Sequence, residues 1–458
     1  MDQETLPEID PSLLELQPEP ATSRNQREAT DVGSVFVSNY PPFSQWTAEQ
    51  LPAYQQALDT PAAGDAPPLG LYLHIPFCRK RCKFCYFRVY TDKNADEVEV
   101  YCDALAREID RYASAPAIAG RPLRFVYFGG GTPSYIAAKH LRELVARVRA
   151  ALPWDSVDEV TFECEPGTLT KTKLETVREL GITRLSLGVE NFNDEILESN
   201  GRAHVSKEIF RVLPWIRELE FDQLNIDLIA GMIGETWETW RDTVQQSIDT
   251  GPDSVTVYQM ELPYNTRFSK QFLEGTLDVP LADWALKREW HDYAFQQLEA
   301  AGFEISSAYT MVRADKQCDF VYRDALWHGA DMLGTGVSSF GHLNGVHAQN
   351  TASWANYLEA VGNDELPLER AFVTSSDDRL IRETILQLKT GALARAHFAD
   401  KFNVDVLEHF AETWSRLQSR HMLRISDDGV ELTRQGLLQA DALLPEFYAE
   451  RYRDARYT

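Results

Sequence analysis

The chain of 458 residues is 44% hydrophobic and 25% charged, a globular composition with room for a large core and two or three domains. Its formal net charge of -25 excludes bulk binding to nucleic acid or anionic membrane, which need clustered Lys and Arg. No apolar run is as long as a membrane span, no basic-then-apolar signal opens the sequence, and six cysteines are too few for a disulfide framework; a reducing cytoplasm is expected.

Residues 1 to about 30 carry Pro7, Pro11, Pro18 and Pro20 among acidic and small residues, the pattern of a mobile leader. The aromatic-rich stretch from Ser34 to Trp46 is too short to form a core of its own. It is expected to lie across something larger, as a structural strap or as a lid over a site. A Pro-, Ala- and Gly-rich run from Thr60 to Pro68 reads as a linker, closing an N-terminal region of residues 1–69.

From residue 70 to about 310 strand-like and helix-like patterns alternate six times. Strands are predicted at Leu71–Ile75, Arg124–Phe128, Glu159–Glu163, Thr183–Val189, Gln223–Ile229 and Ser254–Tyr258. Helices are predicted near Asp96–Tyr112, Ala137–Leu152, Lys171–Leu180, Asp194–Ser199, Ser206–Glu218, Thr236–Thr250 and Ala282–Ala301. Strand–helix repetition implies an α/β fold with a parallel sheet and helices outside it. The strands end in His74, Gly129, Glu163, Glu190, Asp227 and Gln259. Sites in parallel α/β folds form at the carboxyl ends of strands, so a partial (β/α)6 TIM-like barrel with one central site is expected.

Just after the first strand come Cys78, Cys82 and Cys85, spaced CxxxCxxC. Thiolates this close converge on one soft metal centre. A structural zinc normally takes four protein ligands, and Cys102, Cys164 and Cys318 are isolated. Three thiolates are one short for a four-iron cluster and leave one iron open to an outside ligand. Arg79, Lys80, Arg81, Lys83 and Arg88 surround them and offset cluster charge. The loop Gly129–Pro133 lets a backbone approach a ligand closely, but lacks the Lys of a P-loop.

Residues 311–374 read as a connection that closes the barrel, with the small-residue stretch Leu333–Gly341 returning towards the pocket. Residues 375–458 read as a winged-helix-like domain: helices at Asp377–Lys389, Ala394–Asn403 and Leu407–Gln418, strands at Leu423–Ser426 and Gly429–Thr433, and a last helix Arg434–Ala449. It lacks a basic recognition helix and is expected to pack or cover substrate, not bind DNA.

Six segments in order resemble the radical S-adenosylmethionine (SAM) superfamily, in the branch of oxygen-independent coproporphyrinogen III oxidase. They are Tyr72–Cys78 with the two further cysteines, Gly129–Pro133, Glu163–Pro166, Leu187–Phe192, Asn225–Ile229 and Gly334–Gly341; Asn39–Pro42 also has a counterpart. The resemblance implies that Cys78, Cys82 and Cys85 hold a [4Fe–4S] cluster, and that two SAM molecules bind. Tyr72, Phe84, Gly130, Glu190, Arg202 and Phe340 would contact the first. Gly131, Thr132, Glu163, Asp227 and Met260 would contact the second. The oxidases carry Gly-Cys after the third cysteine and Gln at the position of Glu190, whereas this chain reads Tyr86-Phe-Arg-Val-Tyr90.

The segment from Cys82 through Asn94, with Gln259–Pro263, looks most like a third group in the branch, the two-SAM (class C) radical methyltransferases and cyclopropanases. The function expected on that likeness is transfer of a one-carbon unit to an sp2 carbon of a natural product. Oxidative decarboxylation of porphyrinogen propionates is the alternative, and a heme-chaperone-like binding protein a third possibility. Glu261, Tyr90 and Tyr258 are candidates for proton handling from their positions, against a purely structural hydrogen-bonding role. The partners implied are a small-molecule substrate, a flavodoxin- or ferredoxin-type reductant and a methyltransferase-like protein.

Overall fold

The computed structural model describes residues 29–277, 279–453 and 455; most of the expected leader lies outside them. Six parallel strands form where the sequence places them: β1 Leu69–Ile75, β2 Leu123–Gly130, β3 Glu159–Cys164, β4 Arg184–Glu190, β5 Gln223–Ala230 and β6 Ser254–Gln259. They pair in chain order, each parallel to the next. In β1, Leu71, Leu73 and Ile75 are wholly buried and belong to the main apolar core. Tyr72 and His74 alternate with them and face the other side.

The covering helices start on side-chain caps. The helix Ala95–Ala113 opens on a capping box in which Asn94 and Glu97 satisfy each other's backbone N–H groups at 3.0 Å; such a cap is worth about 1 kcal/mol. Its Tyr101, Leu105, Ile109 and Tyr112, at helical spacing, are fully or almost fully buried.

The sheet runs to twelve strands. β7 Phe303–Ile305 and β8 Thr310–Arg313 extend it antiparallel beyond β6. β9 Asp331–Thr335 joins β1 in parallel, a seventh parallel strand, and β10 Phe340–Leu343, β11 Val346–Asn350 and β12 Leu368–Val373 continue it antiparallel. The sequence reading gave no strand for β7 to β12. They are three to six residues long and interleave polar residues such as Asp331, His342, His347 and Arg370, so their period-2 signal is weak.

The stretch from Gly33 to Thr47 joins the two flanks of this sheet. Gly33 N–H donates to Leu262 O beyond β6 (2.8 Å), and Thr47 exchanges two 2.9 Å backbone bonds with Ala371 of β12. Its Val37, Tyr40, Phe43 and Trp46 are buried in the same core as Leu380, Ile385, Phe398 and Trp414 of the C-terminal region. By these contacts the stretch straps the β6 and β12 flanks to the C-terminal core.

The C-terminal region carries a three-stranded sheet, β13 Ala392–Ala394, β15 Gly429–Leu432 and β14 Leu423–Ile425 in that order. Two expected helices are broken. Leu407–Gln418 divides into Val406–His409 and Ala411–Ser419; Arg434–Ala449 becomes Arg434–Leu437, Ala440–Leu443 and a 3₁₀ turn Leu444–Phe447. Pro445, which has no N–H to donate, sits in that turn.

Candidate active site

The cysteine loop leaves β1 at Pro76. It is pinned at its base: Tyr90 N–H donates to Pro76 O (2.7 Å), and Cys78 N–H donates to Tyr90 O (3.0 Å). A turn closes Cys82 on Cys85 through a 3.2 Å backbone bond, and Lys83 N–H is anchored on Asn200 O at 3.0 Å. Arg79 forks onto Glu165 at 3.0 and 2.9 Å. Burial raises the Glu165 carboxyl, but the His204 ring 3.3 Å away and the Arg79 fork outweigh it and hold it at about 2.

The donor set fits an iron–sulfur cluster: three thiols on one loop are one short of the four protein ligands a structural zinc takes, and leave one iron of a cube open. Thr132 Oγ1 donates to Cys78 Sγ at 3.4 Å, and Arg202 Nη1 to Cys82 Sγ at 3.3 Å. Gly131 lies where a Cβ would come within 2.8 to 2.9 Å of the carbonyls of Ile75 and Phe77, so only glycine brings that backbone so close. Burial pushes the Cys78 thiol up to about 11 and Cys85 to about 12, so metal uptake at neutral pH displaces protons.

Carboxylates gather at the strand ends beside the loop. Glu163 accepts from Tyr127 OH (2.7 Å) and Gly130 N–H (3.1 Å). Asp227 accepts from Ser186 (2.8 Å) and Asn225 (2.9 Å). Arg202 Nη2 donates to Gly188 O at 2.7 Å and stands 3.4 Å from Glu190. Burial pushes Glu163 and Glu190 up to about 7, despite Tyr127 beside the first and Arg202 beside the second; Asp227 rises for the same reason. Glu190 has φ 63 at a bulge of β4 against β5, a conformation that costs a non-glycine residue about 1–3 kcal/mol and clusters at functional sites. Arg202 Nε and His74 Nε2 are buried without hydrogen-bond partners.

The expected contact residues divide by location. Tyr72 stacks on Tyr127 at 5.7 Å and joins Gly130, Gly131, Thr132, Glu163, Glu190, Arg202 and Asp227 around the cysteines. Met260 and Phe84 pack in an apolar cluster with Val32 and Leu262. Phe340 lies against Phe43 at 4.3 Å. Among the proton-handling candidates, Tyr258 is 40% exposed and stacks on Tyr309 at 6.0 Å. Glu261 turns to the strap, accepting from Ser34 Oγ (2.7 Å), Val35 N–H (2.9 Å) and Phe36 N–H (2.7 Å). Tyr90 packs its ring on Trp354 at 5.0 Å, with its hydroxyl buried and unpartnered. Tyr127, Ser186, Asn225 and Arg184 were not anticipated. Their signal was strand alternation: positions 184, 186, 188 and 190 share one face of β4.

Comparison with known proteins bears on this arrangement. Residues 72–246 match the Radical SAM superfamily, and residues 374–438 the HemN C-terminal domain. The chain is 28% identical over 425 residues to the oxygen-independent coproporphyrinogen III oxidase of Synechocystis sp., covering 88% of this chain and 90% of the relative. It is 30% identical over 333 residues to the heme chaperone HemW of the same organism, covering 71% and 79%. The solved structure of coproporphyrinogen III oxidase (HemN) from Escherichia coli, a radical SAM enzyme, superposes with a TM-score of 0.78 at 25% identity, over 90% of this chain and 96% of that one.

These findings correct the expected activity. The sequence was read as closest to two-SAM methyltransferases and cyclopropanases, but the relatives that match most of the chain are oxidases and heme chaperones. The segments behind that reading, Cys82–Asn94 and Gln259–Pro263, are short, and the first includes two of the three cysteines that the whole superfamily pattern shares. Coverage of the barrel and the C-terminal region together outweighs them. No described helix is long and apolar enough to cross a membrane.

Proposed function

The chain belongs to the radical SAM superfamily, in the branch shared by the oxygen-independent coproporphyrinogen III oxidases and the heme chaperones, and from that premise we propose that it oxidatively decarboxylates propionate side chains of a porphyrinogen. The observation that carries this reading is the match to the coproporphyrinogen III oxidase (HemN) structure across 90% of the chain. The cofactors are a [4Fe–4S] cluster and SAM, two molecules on the family pattern, which supply a hydrogen-abstracting radical when bound.

The chain's own residues do the rest. Cys78, Cys82 and Cys85 ligate the cluster; Thr132 and Arg202 bond two of those sulfurs. Glu163 and Asp227 accept from ribose hydroxyls, and Arg202 takes a carboxylate. Tyr72, Tyr127 and Tyr258 line the space the substrate arm enters and limit water there. Loss of one hydrogen atom, CO2 and one electron converts a propionate to a vinyl group. A one-electron acceptor takes that electron, and a flavodoxin- or ferredoxin-type donor supplies the reducing electron.

The test is anaerobic turnover of reconstituted protein with dithionite, SAM and coproporphyrinogen III. The expected result is 5′-deoxyadenosine together with CO2 and divinyl product. If 5′-deoxyadenosine forms without CO2 release, the reading fails. A second reading, heme binding, is favoured by the 30% identity to a heme chaperone; stoichiometric hemin uptake with a shifted Soret band would support it.

A further inference from the structure

Arg184 opens β4 on the same face as Ser186, whose hydroxyl reaches Asp227, so alternation aims it into the barrel lumen below the carboxylates. Only 3% of the residue is exposed. Phe320 covers one face of the guanidinium at 4.0 Å, but a ring on the face leaves the N–H donors in the plane free. Two of them, Nε and Nη1, are buried with no hydrogen-bond partner.

The nearby carboxylates take their protein hydrogen bonds from groups other than Arg184. Glu159 accepts from Thr161 and from the N–H groups of Val321 and Tyr322. Glu163 is taken by Tyr127 and Gly130, and Asp227 by Ser186 and Asn225. They feel the charge of Arg184 without bonding those two nitrogens. An unsatisfied buried charged donor is costly, and a fold keeps one for a reason.

We infer that Arg184 is a carboxylate-binding residue at the floor of the lumen, built to receive the anionic end of a flexible arm that enters past Glu163, Asp227 and Tyr258. The open Nε and Nη1 of one guanidinium suit a single carboxylate, and the acidic walls disfavour a phosphate, which carries more charge. Tyr127, Phe320 and Tyr322, packed in contact with one another, give an alkyl stem apolar surroundings. Two arms fit this chemistry: the methionyl end of a second SAM, or a propionate of the substrate. The propionate arm rests on the function proposed above; the SAM arm does not.

Equilibrium dialysis of the full-length Arg184→Met and Arg184→Lys proteins against SAM and against coproporphyrinogen III, with thermal melts of the ligand-free forms, tests this. Arg184→Met is expected to weaken one of the two ligands about 10–100-fold while the ligand-free protein still unfolds in a single transition. Arg184→Lys, which keeps the charge and loses the planar fork, should fall between. Loss of one SAM equivalent assigns the methionyl arm. Unchanged SAM binding with weakened coproporphyrinogen binding assigns the propionate. If both variants bind both ligands as the parent does, the inference is overturned, and a lowered midpoint would then make Arg184 a counter-charge for the three carboxylates. Failure of the proposed reaction alone would leave the SAM arm standing.

Discussion

Two regions of this molecule bury charge, and they do so in opposite ways. Where the strap meets the C-terminal core, the ions close on protein partners. Lys389 donates to Val37 O at 2.6 Å, pairs with Asp441 at 3.0 Å and lies 3.9 Å from the Phe36 ring centre. Asp441 also accepts from Val37 N–H and from Tyr309 OH, and Arg382 holds Asn39 at 2.7 Å. Inside the barrel, Arg184 at the floor and Arg202 and His74 nearer the cysteine loop each keep a buried nitrogen without a partner, and Glu190 sits in a strained backbone. Closed ion networks fix a fold, whereas a buried ion with open donors is still able to receive a ligand.

The largest way to break the contrast is at the cluster ligands. Replacing Cys78, Cys82 or Cys85 with Ala should abolish turnover and drop bound iron from about four per chain towards none. Iron assay and circular dichroism together check that the fold survives while the site does not. On the closed side, Lys389→Met should cost about 2–3 kcal/mol, since it removes a buried cation from the partly exposed Asp441 and from Val37 O. A thermal midpoint within a degree of the parent would show that this network is not structural.

Glu261 lies between the two classes, because position suggested chemistry and geometry gives it to the strap. Glu261→Ala orphans the half-buried donors Val35 N–H and Phe36 N–H and should lose about 1–2 kcal/mol. Glu261→Gln keeps one acceptor and should retain turnover within a few-fold. Turnover abolished in the Gln variant, with the midpoint preserved, would return Glu261 to proton handling.

The pH response sharpens the comparison further. Glu163 and Glu190 titrate near 7 when folded, mainly through burial, against an ordinary 4.5. The folded protein therefore holds protons that the unfolded chain has released, and these two groups contribute less stability as pH rises from about 4.5 to 7. Hydroxyl donors on a ligand favour the ionised carboxylates, so the gain in thermal midpoint on adding SAM should grow from pH 6 to 8. Glu163→Gln should flatten part of that slope. The smallest effect is expected at Tyr90→Phe: the hydroxyl has no partner to lose, so stability should move by less than about 0.5 kcal/mol and turnover by less than twofold.

Much of the barrel was legible because its signals are local. Strands β1 to β6 and their helices follow apolar period and capping, and the helices Asp194–Ser199 and Ser206–Glu218 fall on the expected residues. The cysteine spacing marked the centre for the same reason. Beyond the barrel the signal fades. β9 pairs with β1 across some 260 residues of sequence, and His342 and His347 are buried because they bond each other at 2.9 Å and His347 reaches Tyr40 O at 3.0 Å. No pattern within either segment carries such a partner.

By itself the sequence determined that three thiols stand after a parallel strand, that carboxylates recur at strand ends, and that an aromatic segment precedes the barrel. Periodicity and spacing are properties of neighbouring residues, and a linear reading captures them. Only the tertiary structure decided which buried groups are satisfied. Glu261 and Glu163 are both carboxylates at strand ends, yet three donors from the strap close one while the other faces the barrel lumen. Whether a buried charge meets its partner depends on chain segments hundreds of residues away, and the fold alone brings them together.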